Sequence, residues 1–358
     1  MAIAPFPVSA DLAAIAIRYR NSRLIADDVL PRVPVARQEF KYWSFALADG
    51  FTLPDTRVGR RSRPGQVEFT GTETPSRTED FALDDPIPQE DIDNAPENYD
   101  PLGRAAEGVA DLIALDREVR TAALVFALNT YPASQRTTLS GTSQWSDFTN
   151  SDPIGAITGA LDGVVMRPNV MVIGRLAWTK LSQHPRVVKA VYGYANDSGI
   201  ATRQQIAALF ELNEVLVGEA FLNTAKRGQT PSMGRVWGKH CALIHRDGLA
   251  DTRGNRTTFG FTAQWGERTA GTIADPHIGM RGGQLVRVGE SVKEVIAAPG
   301  RGGAAGPARH AAPVDRAGGR LLVERVTVGA VGAEIQLNME GLAGLARDMA
   351  TKREAIAA

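Results

Sequence analysis

The residues able to do chemistry are few and scattered. The chain has five histidines (His184, His240, His245, His277 and His310) and one cysteine, Cys241. None of the histidines falls in an HExxH or related metal-binding spacing. His240 and His245 flank Cys241 in WGKHCALIHR, which reads as a strand. Alternation then puts His240 and Cys241 on opposite faces, which argues against a shared metal site. Cys241 reads instead as a small buried hydrophobe. The acidic run DFALDDPIPQEDIDNAPENYD at 80–100 lacks the Asp-x-Asn-x-Asp-Gly order and closing Glu of a calcium loop. The RGGQ at 281–284 and the glycines of 300–306 lack the Walker pattern and the strand–GxGxxG–helix setting of phosphate loops. No GxSxG and no Ser/His/Asp set is evident. The sequence therefore assigns no catalytic residue, no metal ligand and no cofactor, and reads as something other than an enzyme.

What remains is segregated charge. Arg57, Arg60, Arg61 and Arg63 crowd into VGRRSRPGQVEF, and Asp84, Asp85, Glu90 and Asp91 lie in the acidic run. We read these as opposed surfaces that meet between copies of the chain. Lys plus Arg is 40 and Asp plus Glu is 40, so bulk charge does not drive nucleic-acid binding. The arginine cluster also lacks the interleaved aromatics of a single-strand binder. With 43% apolar residues the chain can bury a core, and a lone cysteine allows no intrachain disulfide. The opening MAIAPFPVSADLAAIAIRYR lacks the basic flank and apolar stretch of a signal peptide. No window approaches the roughly 18 apolar residues of a membrane span.

The elements that position these charges read as α+β. Ser9 caps a short helix to Arg20, and the Pro-interrupted run through Val29, Val33 and Val35 reads as an extended arm. Gln38–Ala46 reads as a strand leading into a long hairpin, with Pro64-Gly65 as a turn near its tip. Two strands cannot bury a face between them, so the hairpin needs a partner surface from another copy. Asp100-Pro101 starts the clearest helix, with Leu102, Ala105, Val109, Leu112, Val119, Ala123 and Phe126 forming an apolar stripe as far as Asn129. Residues 137–148 place one buried Trp. Helices follow at Asp152–Val165, Arg175–Leu181, Pro185–Tyr192 and Thr202–Phe210. Strands are expected at Asn169–Ile173, from Glu214, at Trp237–His245 and at Thr257–Gln264, with a hairpin or twisted pair at Leu285–Ala297. Gly300–Gly319 reads as a flexible linker, and a hairpin and helix follow it.

Several stretches resemble the major capsid proteins of tailed bacteriophages and prophages: LIADDVLPRVPVARQEFKYWSF, FTLPDTRVGRRSRPGQVEF, FALDDPIPQEDIDNAPENYDP, SGTSQWSD, MRPNVMVIGRLAWTKLSQHP, LVGEAFLNTAKRGQ, WGKHCALIHR and RVGESVKEVIA. The resemblance runs over about residues 1–299. It implies a Hong Kong 97-type (HK-97) fold: an N-terminal arm at 1–37, and an E-loop with its acidic connection at 38–100. A spine helix with P-domain elements follows at 101–165, then an A domain at 166–280 and a return to the P domain at 281–299. The linker at 300–319 and a tail at 320–358 depart from the family; the tail resembles the end of a large serine-recombinase-type protein. The implied function is a shell subunit of a virion, self-assembling as hexamers and pentamers in the host cytoplasm. Its implied partners are a separate scaffolding protein, a portal and non-specifically held DNA, with no membrane. The alternatives are an encapsulin-like nanocompartment shell and a DNA-processing fragment. Some shells of this fold carry a Lys–Asn crosslink from the E-loop. Residues 47–80 contain no lysine, and Lys41 sits at the base of the loop, so a non-covalent shell is expected.

Overall fold

The structure, a computed structural model, describes residues 8–18, 23–45, 52–67, 71–193, 198–226, 228–248, 258–298, 302–307, 323–329 and 332–337. In chain order the N-terminal elements are α1 (Ala10–Arg18), α2 (Ala26–Val29), β1 (Arg32–Val35), β2 (Glu39–Phe45), β3 (Gly71–Arg77), β4 (Glu79–Pro88), α3 (Gln89–Asp93) and α4 (Pro101–Val125). Then come β5 (Arg136–Leu139), α5 (Pro153–Asp162), β6 (Val170–Gly174), α6 (Arg175–Ser182), α7 (Pro185–Tyr192), α8 (Arg203–Leu209) and β7 (Glu214–Gly218). The last are β8 (Phe221–Asn223), β9 (Met233–Arg235), β10 (Cys241–Ile244), β11 (Gly260–Asp275), β12 (Gly283–Ile296), β13 (Gly302–Pro307), β14 (Val323–Gly329) and β15 (Gly332–Leu337).

Two sheets organise residues 8–307. One is four-stranded, in the order β1-β11-β12-β4; the other is five-stranded, in the order β5-β13-β10-β6-β7. In the five-stranded sheet, strands β6, β7 and β10 are buried on both faces and show the period-two split that requires. Met171, Ile173, Val215, Val217, Cys241 and Leu243 face α5–α8, whereas Val170, Val172, Leu216, Ala242 and Ile244 face Tyr131, Trp237 and Phe259. The four-stranded sheet carries α1 and the first half of α4 on Ala270, Val286 and Val288. The far end of α4, at Ala122 and Val125, reaches the core of the five-stranded sheet. One helix thus spans both layers.

Several expectations stand. Ser9 Oγ accepts from the Leu12 N–H at 3.4 Å and starts α1. Asp100 caps α4, accepting from the Leu102 N–H at 3.0 Å, with Pro101 in the first turn. Thr202 and Gln205 close a reciprocal capping box on α8. Trp145 is the buried tryptophan of its segment.

Others are corrected. The run at 29–35 is extended only from Arg32, where β1 pairs in parallel with β11; Val29 ends the helix α2, and Leu30 is fully buried. Leu285–Ala297 is not a hairpin but part of one long strand, β12, paired on one side with β11 and on the other with β4. The acidic stretch is therefore largely strand. α4 stops at Val125 rather than Asn129, because Thr130 and Tyr131 donate side-chain hydrogen bonds to the carbonyls of Leu124 and Val125. The start of the expected linker is β13, held between β5 and β10; the rest, 308–319, lies outside the described residues. β11 and β12 lie side by side in the four-stranded sheet, while β5 and α5 go with the five-stranded sheet. A separate unit, 309–358, contains the expected hairpin β14–β15; its expected helix lies outside the described residues.

The middle of α4 buries charge. Glu118 is fully buried. Its carboxylate accepts from the Ile25 N–H at 3.0 and 3.1 Å, the Ala26 N–H at 2.8 Å and Trp237 Nε1 at 2.5 Å. Burial pushes its carboxyl upward, and these donors pull the other way. Three N–H groups converge on its two oxygens, with the Ile25 N–H shared between them, yet burial prevails and the carboxyl stays above its usual range. Beside it, Arg117 donates to Asp27, the Leu30 carbonyl (3.3 Å) and Thr262 Oγ1 (3.1 Å). Arg32 bridges Asp27 (2.7 Å) and Glu290 (2.8 Å), and Arg268 meets Glu290 at 3.0 Å. Arg120 joins Glu294 at 3.0 Å. These pairs lock α2, α4, β1, β11 and β12 together. Trp237 is held against Gly218, where a Cβ would stand 2.1 Å from Trp237 Cγ, so only glycine lets the indole reach Glu118.

Replacing Glu118 with Ala strands three N–H donors in a dry site. We expect a loss of about 3 kcal/mol in urea unfolding of the unassembled subunit; a loss under about 1 kcal/mol contradicts the assignment. Burial pushes the Asp27 carboxyl up, but Arg117 and Arg32 outweigh it and hold it at about 2, below the usual 3.8. A depressed carboxyl stabilises the fold above its unfolded value and loses that contribution as pH falls. Subunit stability should therefore drop between pH 4 and pH 2 by more in the wild type than in Asp27→Asn. Equal drops measured by chemical denaturation would refute this.

Candidate subunit interface

The hairpin β2–β3 pairs from Glu39↔Arg77 to Phe45↔Gly71. Its base is anchored: Phe40 and Tyr42 pack on the cluster of Val33, Phe261, Ala263 and Val295, with Tyr42 and Phe261 edge to face at 6.1 Å. Beyond the base, every residue from Thr52 to Val67 is exposed. Leu53 is 88% exposed, and Val58 and Val67 are also open. The tip turns at Gly59–Ser62, through a 3.0 Å bond from the Ser62 N–H to the Gly59 carbonyl, and not at Pro64-Gly65. Arg57, Arg60, Arg61 and Arg63 all stand in this limb, and none is in an ion pair among the described residues. An exposed apolar and cationic limb whose arginines make no ion pair among the described residues has the composition of a contact surface.

The acidic candidates divide. Asp84 on β4 takes both guanidinium nitrogens of Arg287 at 2.7 and 2.6 Å, and those hydrogen bonds hold its carboxyl below the usual range. Glu90 faces Arg281 at 3.8 Å, and Glu79 binds Lys293 at 2.5 Å. Pairing of β4 with β12 brings Arg287 opposite Asp84 within the chain, and Glu90 on α3 meets Arg281 just before β12. Asp85 and Asp91 have no ion pair among the described residues. Leu112, expected in the buried stripe of α4, is 56% exposed.

One pair has the residue types of an active site. Ser151 Oγ lies 2.9 Å from His184 Nε2, and both residues are buried. His184 Nδ1 accepts from the Arg186 N–H as the cap of α7, so Nε2 carries the ring proton. The serine in turn donates to the Asp147 carbonyl at 2.6 Å. The proton runs from His to Ser to carbonyl, opposite to what activates a nucleophile. Cys241 and His240 do diverge: Cys241 is in the core, where burial pushes its thiol up to about 12, while His240 lies 5.2 Å from the Phe126 ring. Among the described residues no group of three His, Cys, Asp or Glu gathers as metal ligands, and no helix is long and apolar enough to cross a membrane.

Sequence reasoning missed the charge cluster around Glu118. Its signal was Arg117-Glu118 inside an otherwise apolar helical stripe.

Comparisons with known proteins agree with this architecture. A family model described as phage major capsid protein E matches residues 115–231. The major capsid protein of Pseudomonas phage JBD67 is 58% identical over 302 residues, 84% of this chain and 97% of that protein. That of Burkholderia phage BcepMu is 29% identical over 243 residues, 65% of this chain and 75% of the relative. A phage-related protein from Bordetella bronchiseptica RB50 superposes with a TM-score of 0.67 at 24% identity, covering 84% of this chain and 97% of its own. The capsid of cyanophage P-SCSP1u does so at 0.54 and 10% identity, covering 87% and 93%. The fold is the Hong Kong 97-type capsid fold. The chain belongs to the phage major capsid proteins, and its role is that of a structural capsid subunit. This sets aside the nanocompartment and DNA-processing readings.

Lys41, the one lysine near the loop, is bound to Glu73 at 2.5 Å across the hairpin base. That pair ties its ammonium to its own chain rather than to a neighbour. Assembled particles boiled in detergent without reductant should run as monomers. A ladder of multimers would show that a lysine does reach a partner.

Proposed function

We propose that this chain closes with copies of itself, as hexamers and pentamers, into an icosahedral shell around phage DNA. The observation that carries the reading is the limb at 52–67: exposed throughout, carried on a hairpin anchored at its base, and with its guanidiniums in no ion pair among the described residues. In this reading 52–67 is the tip of the E-loop and lies across a neighbouring copy. α4 is the spine, the four-stranded sheet the P domain and the five-stranded sheet the A domain. Assembly takes place in the host cytoplasm with a separate scaffolding protein and a portal, the DNA is held by non-specific contact, and no step is catalytic.

Asp85 and Asp91 are the free carboxylates nearest in sequence to the limb's expected contact, with Asp84 and Glu90 already shared with Arg287 and Arg281. Each exposed pair contributes only about 0–1 kcal/mol. Repeated around a closed shell, such pairs set register and encounter rate. Reversing Arg57, Arg60, Arg61 and Arg63 together to Glu should slow assembly followed by light scattering and flatten its salt dependence. An unchanged rate and salt slope would remove these residues from the interface.

A further inference from the structure

The parallel strands β6 and β7 give the five-stranded sheet two chemically distinct ends. They run in register from Val170↔Glu214 to Gly174↔Gly218, so the ends stand about 16 Å apart. At the C-terminal end, Glu219 follows β7 and is crowded by arginines. Arg175 reaches it at 3.0 Å and Arg203 at 2.9 Å, while Arg235 donates to its carbonyl at 2.8 Å. Arg235 also lies over the ring of the exposed Phe221 at 3.8 Å. One carboxylate pairs with two guanidiniums and a third rests on a backbone carbonyl, leaving this end cationic.

The opposite end carries the reverse imbalance. Arg167 lies between Asp162 at 3.7 Å and Glu211 at 3.0 Å. Glu211 is 77% exposed, so much of its carboxylate still faces water. Its backbone is unusual. Among the described residues it is the only non-glycine with positive φ, at 55°. It follows α8 where two bonds, Glu211 N–H to the Ala208 carbonyl and Leu212 N–H to the Ala207 carbonyl, form a Schellman turn. That position takes glycine in most helices, because a Cβ is strained there. A strained glutamate, pointing outward, occupies a site where glycine would stabilise the fold.

We infer that the arginine end, around Arg175, Arg203 and Arg235, docks the carboxylate end, Glu211 and Asp162, of a second copy of this chain. The contact joins unlike surfaces, and repeated unlike contacts close into rings. The proposal rests on the shell-subunit reading and names residues that order subunits within one ring.

The test uses purified full-length chain. Arg203→Glu and Glu211→Arg should each slow assembly at least tenfold without lowering the melting temperature of the free subunit, and the double reversal should recover most of the rate. Glu211→Gly separates function from folding: it should raise the melting temperature by a few degrees while slowing assembly. Wild-type shells with both single reversals assembling at the normal rate would overturn this proposal alone. Single reversals that fail without rescue in the double would also overturn the pairing. Normal assembly of Arg203→Glu with weakened duplex DNA binding would reassign the arginines to nucleic acid. Wild-type chain that forms no shell at all would overturn this proposal together with the shell reading.

Discussion

A fully buried carboxylate at the centre of α4 sets the rest of the subunit. Glu118 is expensive to desolvate, and it is tolerated because backbone N–H groups of Ile25 and Ala26 and the Trp237 indole converge on it. Those three donors come from the N-terminal segment and from the loop before β10. The same carboxylate therefore fixes where the chain enters the body and where the five-stranded sheet meets the spine. Arg117, one residue earlier, reaches Asp27, Leu30 and Thr262 and ties in the four-stranded sheet. Apolar packing alone would hold these layers together. The charges restrict them to one relative arrangement, since a slip leaves an unpaired buried ion.

A rigid body of this kind can carry a limb that has no stability of its own. β2 and β3 are a two-stranded ribbon, marginal in isolation, but Phe40 and Tyr42 seat its base on Phe261. The limb at 52–67 is left to water or to a partner. The division of labour matches a shell subunit: fixed layers transmit position, and an exposed limb makes the contact.

Much of this was legible in the sequence, for physical reasons. Asp100-Pro101 announced α4 because capping and proline geometry are local. The limb was legible because apolar points among arginines without periodicity leave no intrachain core to join. What escaped was set by distant residues. The stretch 285–297 read as a hairpin or twisted pair, yet Arg32 and Arg268 neutralise Glu290 and β12 runs through. The Gly/Ala-rich stretch of β13 looked like a linker because ladder pairing uses backbone groups that leave no mark on composition. The Asp84–Arg287 pair left no sequence signal, because only the pairing of β4 with β12 brings the two opposite each other. Glu211 gave no sequence signal, because a strained turn is invisible without its dihedral.

The account centres on the limb at 52–67 finding its partner in another copy. Electron cryomicroscopy of particles assembled from the purified chain tests this directly. The account predicts closed shells in which residues 52–67 lie against a neighbouring subunit, with Arg57, Arg60, Arg61 and Arg63 within ion-pair distance of its carboxylates. Closed shells in which this limb folds back on its own chain, or projects into solvent away from every neighbour, would contradict it.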